Sequence, residues 1–331
     1  MELLRFTPKG IYCEQGDFYI DPWRPVDKAI ITHAHSDHAR GGMKNYLTHP
    51  ITAQVMKHRI NNQLQIQSVV YNEKVFMNGV EVSLHPAGHI AGSAQVRVAY
   101  GGRVEVASGD YKLEYDGVSA AFEPVKCHKF ITESTFGLPI YNWASQSDAM
   151  SEIVEWYQKN NAEGITSVLV AYSLGKSQRL LYNLKNKVAP IYCHTTICGI
   201  NQCLENFGFS FGDYKPLTPA TKVIDLKGAL IIAPSSFLAS SQYDQLSSVS
   251  TAVVSGWMSI RGAKRRLNAE IGFAISDHAD WKSLMSAIAA TEAAEIVVTH
   301  GYTFELSKYL KESGKMAIAA QTFFDGEKLE E

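Results

Sequence analysis

The sequence predicts an α/β protein in which one strand-rich domain is interrupted by an inserted α/β domain. Three observations lead there. Up to about residue 135 the chain reads as short strands joined by short turns, with alternating runs such as Val80-Glu81-Val82-Ser83-Leu84 and Arg103-Val104-Glu105-Val106-Ala107. From about residue 148 strand and helix patterns alternate, which is the signature of a mostly parallel sheet. After about residue 270 the histidine- and aspartate-bearing texture of the first part returns, in Ser276-Asp277-His278-Ala279-Asp280 and in His300. The expected boundaries are 1–145 for the first part, 146–268 for the insertion and 269–331 for the return.

Within the first part, Gln95–Tyr100 and Arg103–Ala107 form a predicted hairpin around Gly101-Gly102, with alternation on both arms and a two-glycine turn. A helix is expected around Ala53–Ile66. In the insertion, Asp148–Gln158 has apolar residues at helical spacing (Ile153, Trp156, Tyr157), with Ser147 as the cap and Asn160-Asn161 as the stop. Ser167–Ala171 reads as a buried strand and Lys176–Leu184 as a helix. Pro190–Cys193, Ala229–Ala233 and Thr251–Val254 are further short strands. No internal repeat or low-complexity segment is visible.

Composition narrows the class less than pattern does. At 331 residues and 46% hydrophobic content the chain can bury a large core. A net charge of −2 neither demands nor excludes nucleic acid, because a nearly neutral protein can carry one basic groove. No apolar run approaches 18 residues, so no transmembrane helix is expected. The stretch Met1–Pro8 lacks the layout of a signal peptide, which makes the expected compartment the cytoplasm. The five cysteines contain no Cys-x-x-Cys pair, and Cys193-His194 with Cys198 and Cys203 fits no common zinc spacing.

The hexapeptide His33-Ala34-His35-Ser36-Asp37-His38 carries the most chemistry. It comes after the apolar run Ala29-Ile30-Ile31 and offers four metal ligands in six residues. In extended backbone, residues two apart project the same way, so His33 and His35 can close on one ion. Asp37 and His38, after the turn, can face a second. Further ligands stand at the ends of other apolar runs: His89 after Pro86-Ala87-Gly88, Asp110 after Ser108-Gly109, and His300 after Val297-Val298-Thr299. The simplest assembly puts His33, His35 and His89 on one ion, Asp37, His38 and His300 on the other, and Asp110 between them. Imidazole and carboxylate without thiolate suit two Zn2+ ions, with Mn2+ or iron as alternatives. Such a set belongs to a two-metal hydrolase, whose ions activate a shared hydroxide.

With those residues in place, the chain resembles the metallo-β-lactamase-fold β-CASP nuclease family. Asp21, His33-x-His35-x-Asp37-His38, His89 and Asp110 are similar to the first four motifs of that fold. Phe130-Ile131-Thr132-Glu133-Ser134-Thr135 resembles motif A of the β-CASP branch, Ser276-Asp277-His278-Ala279-Asp280 motif B, and Val298-Thr299-His300-Gly301 motif C. Tyr172–Gln178 and Ser255-Gly256-Trp257 with Arg261-Gly262 resemble landmarks of the inserted domain. The resemblance covers almost the whole chain and looks strongest to the bacterial ligase-associated DNA exonucleases. It implies an αββα metallo-β-lactamase sandwich with an inserted β-CASP domain, and a metal-dependent DNA exonuclease in repair. It also implies DNA in preference to RNA and association with DNA ligase and helicase repair proteins. An RNA-processing nuclease is the alternative, and histidine at motif C counts toward it.

Phosphodiester hydrolysis needs a nucleophile, neutralised phosphoryl oxygens and a protonated leaving oxygen. His278 is the candidate acid, and Glu133 would orient it and favour its protonated form. Asp37 is counted with the catalytic residues as well as the ligands. Asp21 is expected to orient a metal ligand rather than touch metal. Ser276, Lys176 at a helix start, and Arg261 in the basic cluster with Lys264, Arg265 and Arg266 are candidate phosphate-binding residues. His49, His58, His85, His128 and His194 match no motif and read as structural or exposed. An inactive scaffold would not keep the complete ligand set, and a small-molecule esterase would not need Glu133 and His278.

Overall fold

A computed structural model describes residues 2–260 and 271–321. They divide into two compact units. One holds the described residues up to Tyr115, Ser119–Asn142 and the described residues from His278 onward; the other holds Asp116–Val118 and Trp143–Asp277. Apart from the short excursion at Asp116–Val118, the chain crosses between units at 142/143 and 277/278, against the 145/146 and 268/269 expected. The later return has a simple cause: Ile271–Phe273 pairs with Val249–Val254 as an edge strand of the second unit's sheet.

The first unit is built on two sheets. In one, β1 (Leu4–Thr7), β2 (Gly10–Cys13), β3 (Phe18–Ile20), β4 (Lys28–Ile30), β5 (Asn45–Thr48) and β6 (Ile66–Ser68) lie side by side in sequence order. The strands of the other are β7 (Lys74–Met77), β8 (Val80–Pro86), β9 (Ala94–Tyr100), β10 (Arg103–Ala107), β11 (Lys129–Ser134), β18 (Glu295–Gly301) and β19 (Met316–Ala319). They are ordered β19-β18-β11-β10-β9-β8-β7. Side chains two apart share a face of a strand, and the cores obey that rule. Val80, Val82 and Leu84 with Ala94, Val96 and Val98 meet Leu4, Phe18, Ile20 and Ile30 of the first sheet. Val106, Phe130, Ile296 and Val298, on the opposite face, pack against Leu284 and Ile288 of one helix and Leu306 and Leu310 of another. Those helices are Trp281–Ala290 and Thr303–Glu312. Helix α1 (Pro50–Arg59) buries Thr52, Ala53, Val55 and Met56 beside the first sheet, completing the αββα order.

The hairpin forms as predicted, with Arg103 opposite Tyr100 and both turn glycines at positive φ (+55° and +81°), the geometry that two-residue hairpin loops require. Helix α1 departs from the expected Ala53–Ile66. It starts three residues earlier, with His49 as cap and Pro50 in the first turn, and stops at Arg59 because Ile66–Ser68 is taken into the sheet as β6.

The second unit has one six-stranded, all-parallel sheet. The strands are β12 (Thr166–Val170), β13 (Ile191–His194), β14 (Lys215–Leu217), β15 (Leu230–Ala233), β16 (Val249–Val254) and β17 (Ile271–Phe273), in the order β14-β13-β15-β12-β16-β17. Helix α2 is longer than expected, running Gln146–Ala162 with Ser145 rather than Ser147 as cap, and it continues through Asn160, which is buried against Ser167 Oγ at 2.9 Å. That hydrogen bond removes the reason an asparagine pair usually ends a helix. Helix α3 (Lys176–Leu184) matches its predicted span. No described helix is long and apolar enough to cross a membrane.

The cap of α1 generates a prediction about pH. His49 accepts a hydrogen bond from the Ile51 amide and stacks on Tyr71 with ring centroids 4.1 Å apart. Burial pushes its pKa down to about 4. The folded state thus holds His49 neutral while the unfolded chain, with an ordinary value near ~6.5, takes up a proton. This contribution to stability is complete above pH ~6.5 and is lost as pH falls towards 4. His49→Asn keeps a capping side chain and removes the titration. The loss of thermal midpoint between pH 7 and pH 5 should be smaller in the variant than in wild type; an equal loss would exclude His49 as a source of acid sensitivity.

Candidate metal centre

The ligand residues stand where strands of the first unit run out. Ile31 extends β4 by one more ladder bond to Leu47, after which Thr32 and the hexapeptide turn away. Within the turn, the Ala39 amide bonds the His35 carbonyl at 2.8 Å, closing a helical turn that brings His38 back beside His33. Their ring centroids are 4.2 Å apart. His89 lies in the loop after β8, where the Ser93 hydroxyl accepts from the His89 and Ile90 amides at 3.1 and 3.2 Å. Asp110 comes after β10, Glu133 is in β11 and His300 in β18.

These side chains converge. Asp110 Oδ2 lies 3.4 Å from His33 Nε2, 3.4 Å from His38 Nε2 and 3.7 Å from His89 Nε2. His35 Nδ1 is 3.0 Å from His89 Nε2, and Asp37 Oδ2 is 3.7 Å from His38 Nε2. The donor atoms of His33, His35, His89 and Asp110 form one set within 4.8 Å of one another, and those of His33, Asp37 and His38 a second. The His300 ring stacks on His38 at 5.1 Å. Four ligands at about 2.0–2.1 Å around a tetrahedral Zn2+ stand roughly 3.3 Å apart, so the first set has the spacing such an ion needs. The buried His33 Nε2 makes no hydrogen bond among the described residues, as a nitrogen with a lone pair reserved for metal would. The residues present therefore fit a pair of divalent ions, with Asp110 between the two sets.

Asp21 does not reach the ligand cluster's centre. Its backbone is left-handed (φ +42°), and its carboxylate accepts from the Thr32 amide at 2.8 Å and the Thr32 hydroxyl at 2.6 Å. The same carboxylate lies 2.7 Å from His38 Nδ1. A carboxylate there fixes the proton on Nδ1 and turns the Nε2 lone pair inward. Thr32, which sequence reasoning missed, connects Asp21 to His33, its hydroxyl lying 3.0 Å from His33 Nδ1; its only signal was its place between the strand and His33.

Electrostatics inside the cluster are set by burial and by the carboxylates. Burial disfavours charge on His38, yet Asp110, Asp37 and Asp21 outweigh it and hold its pKa well above the ordinary value. Burial, then the charge on His38, pushes His33 well down, and the same two causes bring His300 to about 4. Burial opposes ionisation of Asp110 too, but His38 and His278 hold it well below the usual carboxylate range.

Beside the cluster lies a second arrangement. His278 Nδ1 is 2.9 Å from Glu133 Oε2 and 4.0 Å from Asp110 Oδ2, and its ring centroid is 4.6 Å from that of His89. Glu133 is held by the Tyr111 amide at 2.7 Å and the Thr135 hydroxyl at 2.5 Å. Burial raises the Glu133 pKa, against the opposing pull of His278. Turning Nδ1 towards Glu133 directs Nε2 the other way.

Lys176 and Ser276 belong to the second unit. The Lys176 ammonium is buried 3.7 Å from Asp277 Oδ2, over the Tyr172 ring, and the Ser276 carbonyl accepts from Arg179. Arg261, with Lys264, Arg265 and Arg266, lies outside the described residues. Among the described residues, the cysteines of the insertion enter no ligand group.

No family model matches the chain. A protein of Opitutus terrae named a probable DNA ligase is 29% identical over 94% of this chain. An RNase J-like protein of Methanocaldococcus jannaschii is 25% identical over 51% of it. In sequence and in fold the chain is similar to metallo-β-lactamase-fold β-CASP proteins. It spans 30% of the length of the first relative and 47% of the second. A crystal structure of a protein of unknown function from Enterococcus faecalis has the same fold, with a TM-score of 0.60 at 13% identity over 92% of this chain and 80% of that one. The β-CASP assignment agrees with the αββα unit and its inserted parallel sheet.

Asp21→Asn should test the orientation of His38. The amide keeps an acceptor for Thr32 but loses the charge that holds Nδ1–H. Zinc affinity, measured by competition with a chromophoric chelator, should fall about 10–100-fold with the thermal midpoint nearly unchanged. Unaltered affinity would exclude the orienting role.

Proposed function

We propose that this β-CASP protein is a metal-dependent phosphodiesterase, acting as a DNA exonuclease in repair. The observation that carries the reading is the Glu133–His278 pair, 2.9 Å apart, set against the Asp110 ligand cluster. A metal cluster serves many hydrolyses; a buried, carboxylate-oriented imidazole beside it supplies the acid that an alkoxide leaving group requires. The ligase name of the relative that matches along nearly the whole chain supports DNA and a setting beside a DNA ligase; association with helicase repair proteins is part of the same proposal. An RNA-processing activity is the second reading, favoured by the RNase J-like relative and by His300 at motif C.

His33, His35 and His89 would hold one ion, Asp37, His38 and His300 the other, and Asp110 would lie between. Two Zn2+, or Mn2+, would supply a polarised water as nucleophile and leave net positive charge over two carboxylates to attract the phosphodiester. His278, donating from Nε2, passes its proton to the leaving oxygen. Glu133 keeps the ring aimed and stabilises the positive imidazolium, while Tyr111 and Thr135 keep Glu133 from turning away. Ser276, Lys176 and Arg261 are proposed to contact substrate phosphates.

Purified protein given end-labelled single- and double-stranded DNA and matched RNA should release short products from DNA ends; a ladder from RNA alone would replace the first reading by the second. Asp37→Ala should abolish hydrolysis while the far-ultraviolet circular dichroism stays unchanged, and near-wild-type turnover would refute the two-ion assignment.

His278→Ala should lower turnover on an ordinary phosphodiester about a hundredfold or more, with metal content unchanged. Glu133→Gln should lower it less. On a nitrophenyl phosphodiester, whose leaving group needs little protonation, the His278→Ala defect should shrink markedly. An equal defect on both substrates, or loss of metal, would move His278 from acid to ligand.

A further inference from the structure

The strand that delivers His300 breaks its own alternation. β11 and β18 pair in register from Lys129 with Glu295 to Thr132 with Val298, and then resume at Ser134 with Gly301. Two steps of β11 thus face three of β18, so β18 carries a bulge at Thr299 and His300. Ile296 and Val298 point into the helix-covered core and Val297 into the sandwich core. Strict alternation would send Thr299 to the sandwich side and His300 to the helix side, away from Asp37 and His38. Instead Thr299 and His300 both line one small cavity of about 20 Å³ together with Asp21, Thr32 and His38.

The turn that achieves this is left-handed, with φ +55° at His300 and +79° at Gly301. A histidine held there is strained, and something outside the local backbone must keep it so. Gly301 is required by contact as well, since a methyl group would run into the Ser134 carbonyl and the Thr135 Cα. Ser134 is the holding group. Its hydroxyl donates to the His300 carbonyl and lies 3.3 Å from that of Thr299, and its carbonyl accepts from the Tyr302 amide at 2.9 Å. The side chain is completely buried, so no water replaces these bonds.

We propose that Ser134 is the positioning residue for His300: its hydroxyl locks the bulge that turns this imidazole toward the ion shared with Asp37 and His38. The proposal rests on the two-ion reading of the ligand cluster. It gives motif A two tasks, with Glu133 aiming the acid and its neighbour Ser134 aiming a ligand contributed 166 residues further along the chain.

Cobalt(II) titration of the metal-depleted full chain, monitored by d–d absorption, tests it without recourse to activity. Wild type should take up two equivalents. Ser134→Ala should weaken one of them by about tenfold or more, as loss of an orienting partner does, and leave the other unchanged. In a His300→Ala background, Ser134→Ala should change nothing further, because its effect passes through His300. Gly301→Ala, which disturbs the same bulge from the other strand, should reproduce the selective loss, and it decides the matter if Ser134→Ala does not fold. Equal affinities in wild type and variant, equal weakening of both equivalents, or a persisting Ser134→Ala effect without His300 would each overturn the proposal while leaving the two-ion reading intact. Uptake of a single equivalent by wild type would overturn both.

Discussion

Everything in the first unit depends on keeping a dense group of imidazoles together away from water. The rings of His33, His35, His38, His89 and His300 stand 4.2–5.1 Å from their neighbours, and His33, His38 and His89 are almost wholly buried. Two protonated rings at such distances in a low-dielectric interior repel strongly. The cluster answers this with carboxylates: Asp110 at its centre, Asp37 at one side and Asp21 behind His38. One histidine is consequently pushed towards the protonated form while its neighbours are pushed away from it. Divalent ions would satisfy the same negative charge and take up the same lone pairs, which is why the arrangement fits a metal pair.

Holding such a cluster is the work of the sandwich. The candidate ligands come from loops after β4, β8 and β10 and from the end of β18, and none of these segments is regular at that point. Each irregularity has a named support: Thr32 and Asp21 behind the hexapeptide, Ser93 under His89, Ser134 across from His300. The supports are hydroxyls and one carboxylate, groups able to bond backbone that has left a ladder. Regular strands carry the hydrophobic core, and short polar side chains carry the departures from it.

The Glu133–His278 pair is built on the same principle. Glu133 accepts from Tyr111 and Thr135 as well as meeting His278, so its orientation does not rest on the histidine alone. His278 precedes the helix Trp281–Ala290, whose cap is Asp280. It is the first residue of the returning chain, and Asp277 before it belongs to the other unit. The segment Ser276–Asp280 therefore carries both the candidate acid and the boundary at which the insertion ends.

Much of this was legible in the sequence because it is local. Period-two runs such as Val80–Leu84 named strands, the Gly101-Gly102 turn named its hairpin, and four ligand-type residues within His33–His38 announced a metal-binding segment before any partner was known. Helix ends were less legible: α1 stops at Arg59 because the sheet recruits Ile66–Ser68 as β6, and α2 passes Asn160 because Ser167 satisfies its amide. The unit boundary after Asp277 came later than expected because a three-residue strand counts only once its neighbour is present. Ser134 had no signal of its own, since its buried hydroxyl acts on backbone distant in sequence, and Thr32 had only its place before His33. By itself the sequence determined the fold class and which residue types could bind metal. Tertiary structure alone decided that β18 pairs irregularly with β11 at Thr299 and His300 and that Thr32 and Ser134 support the candidate ligands, because both depend on where one strand end meets another.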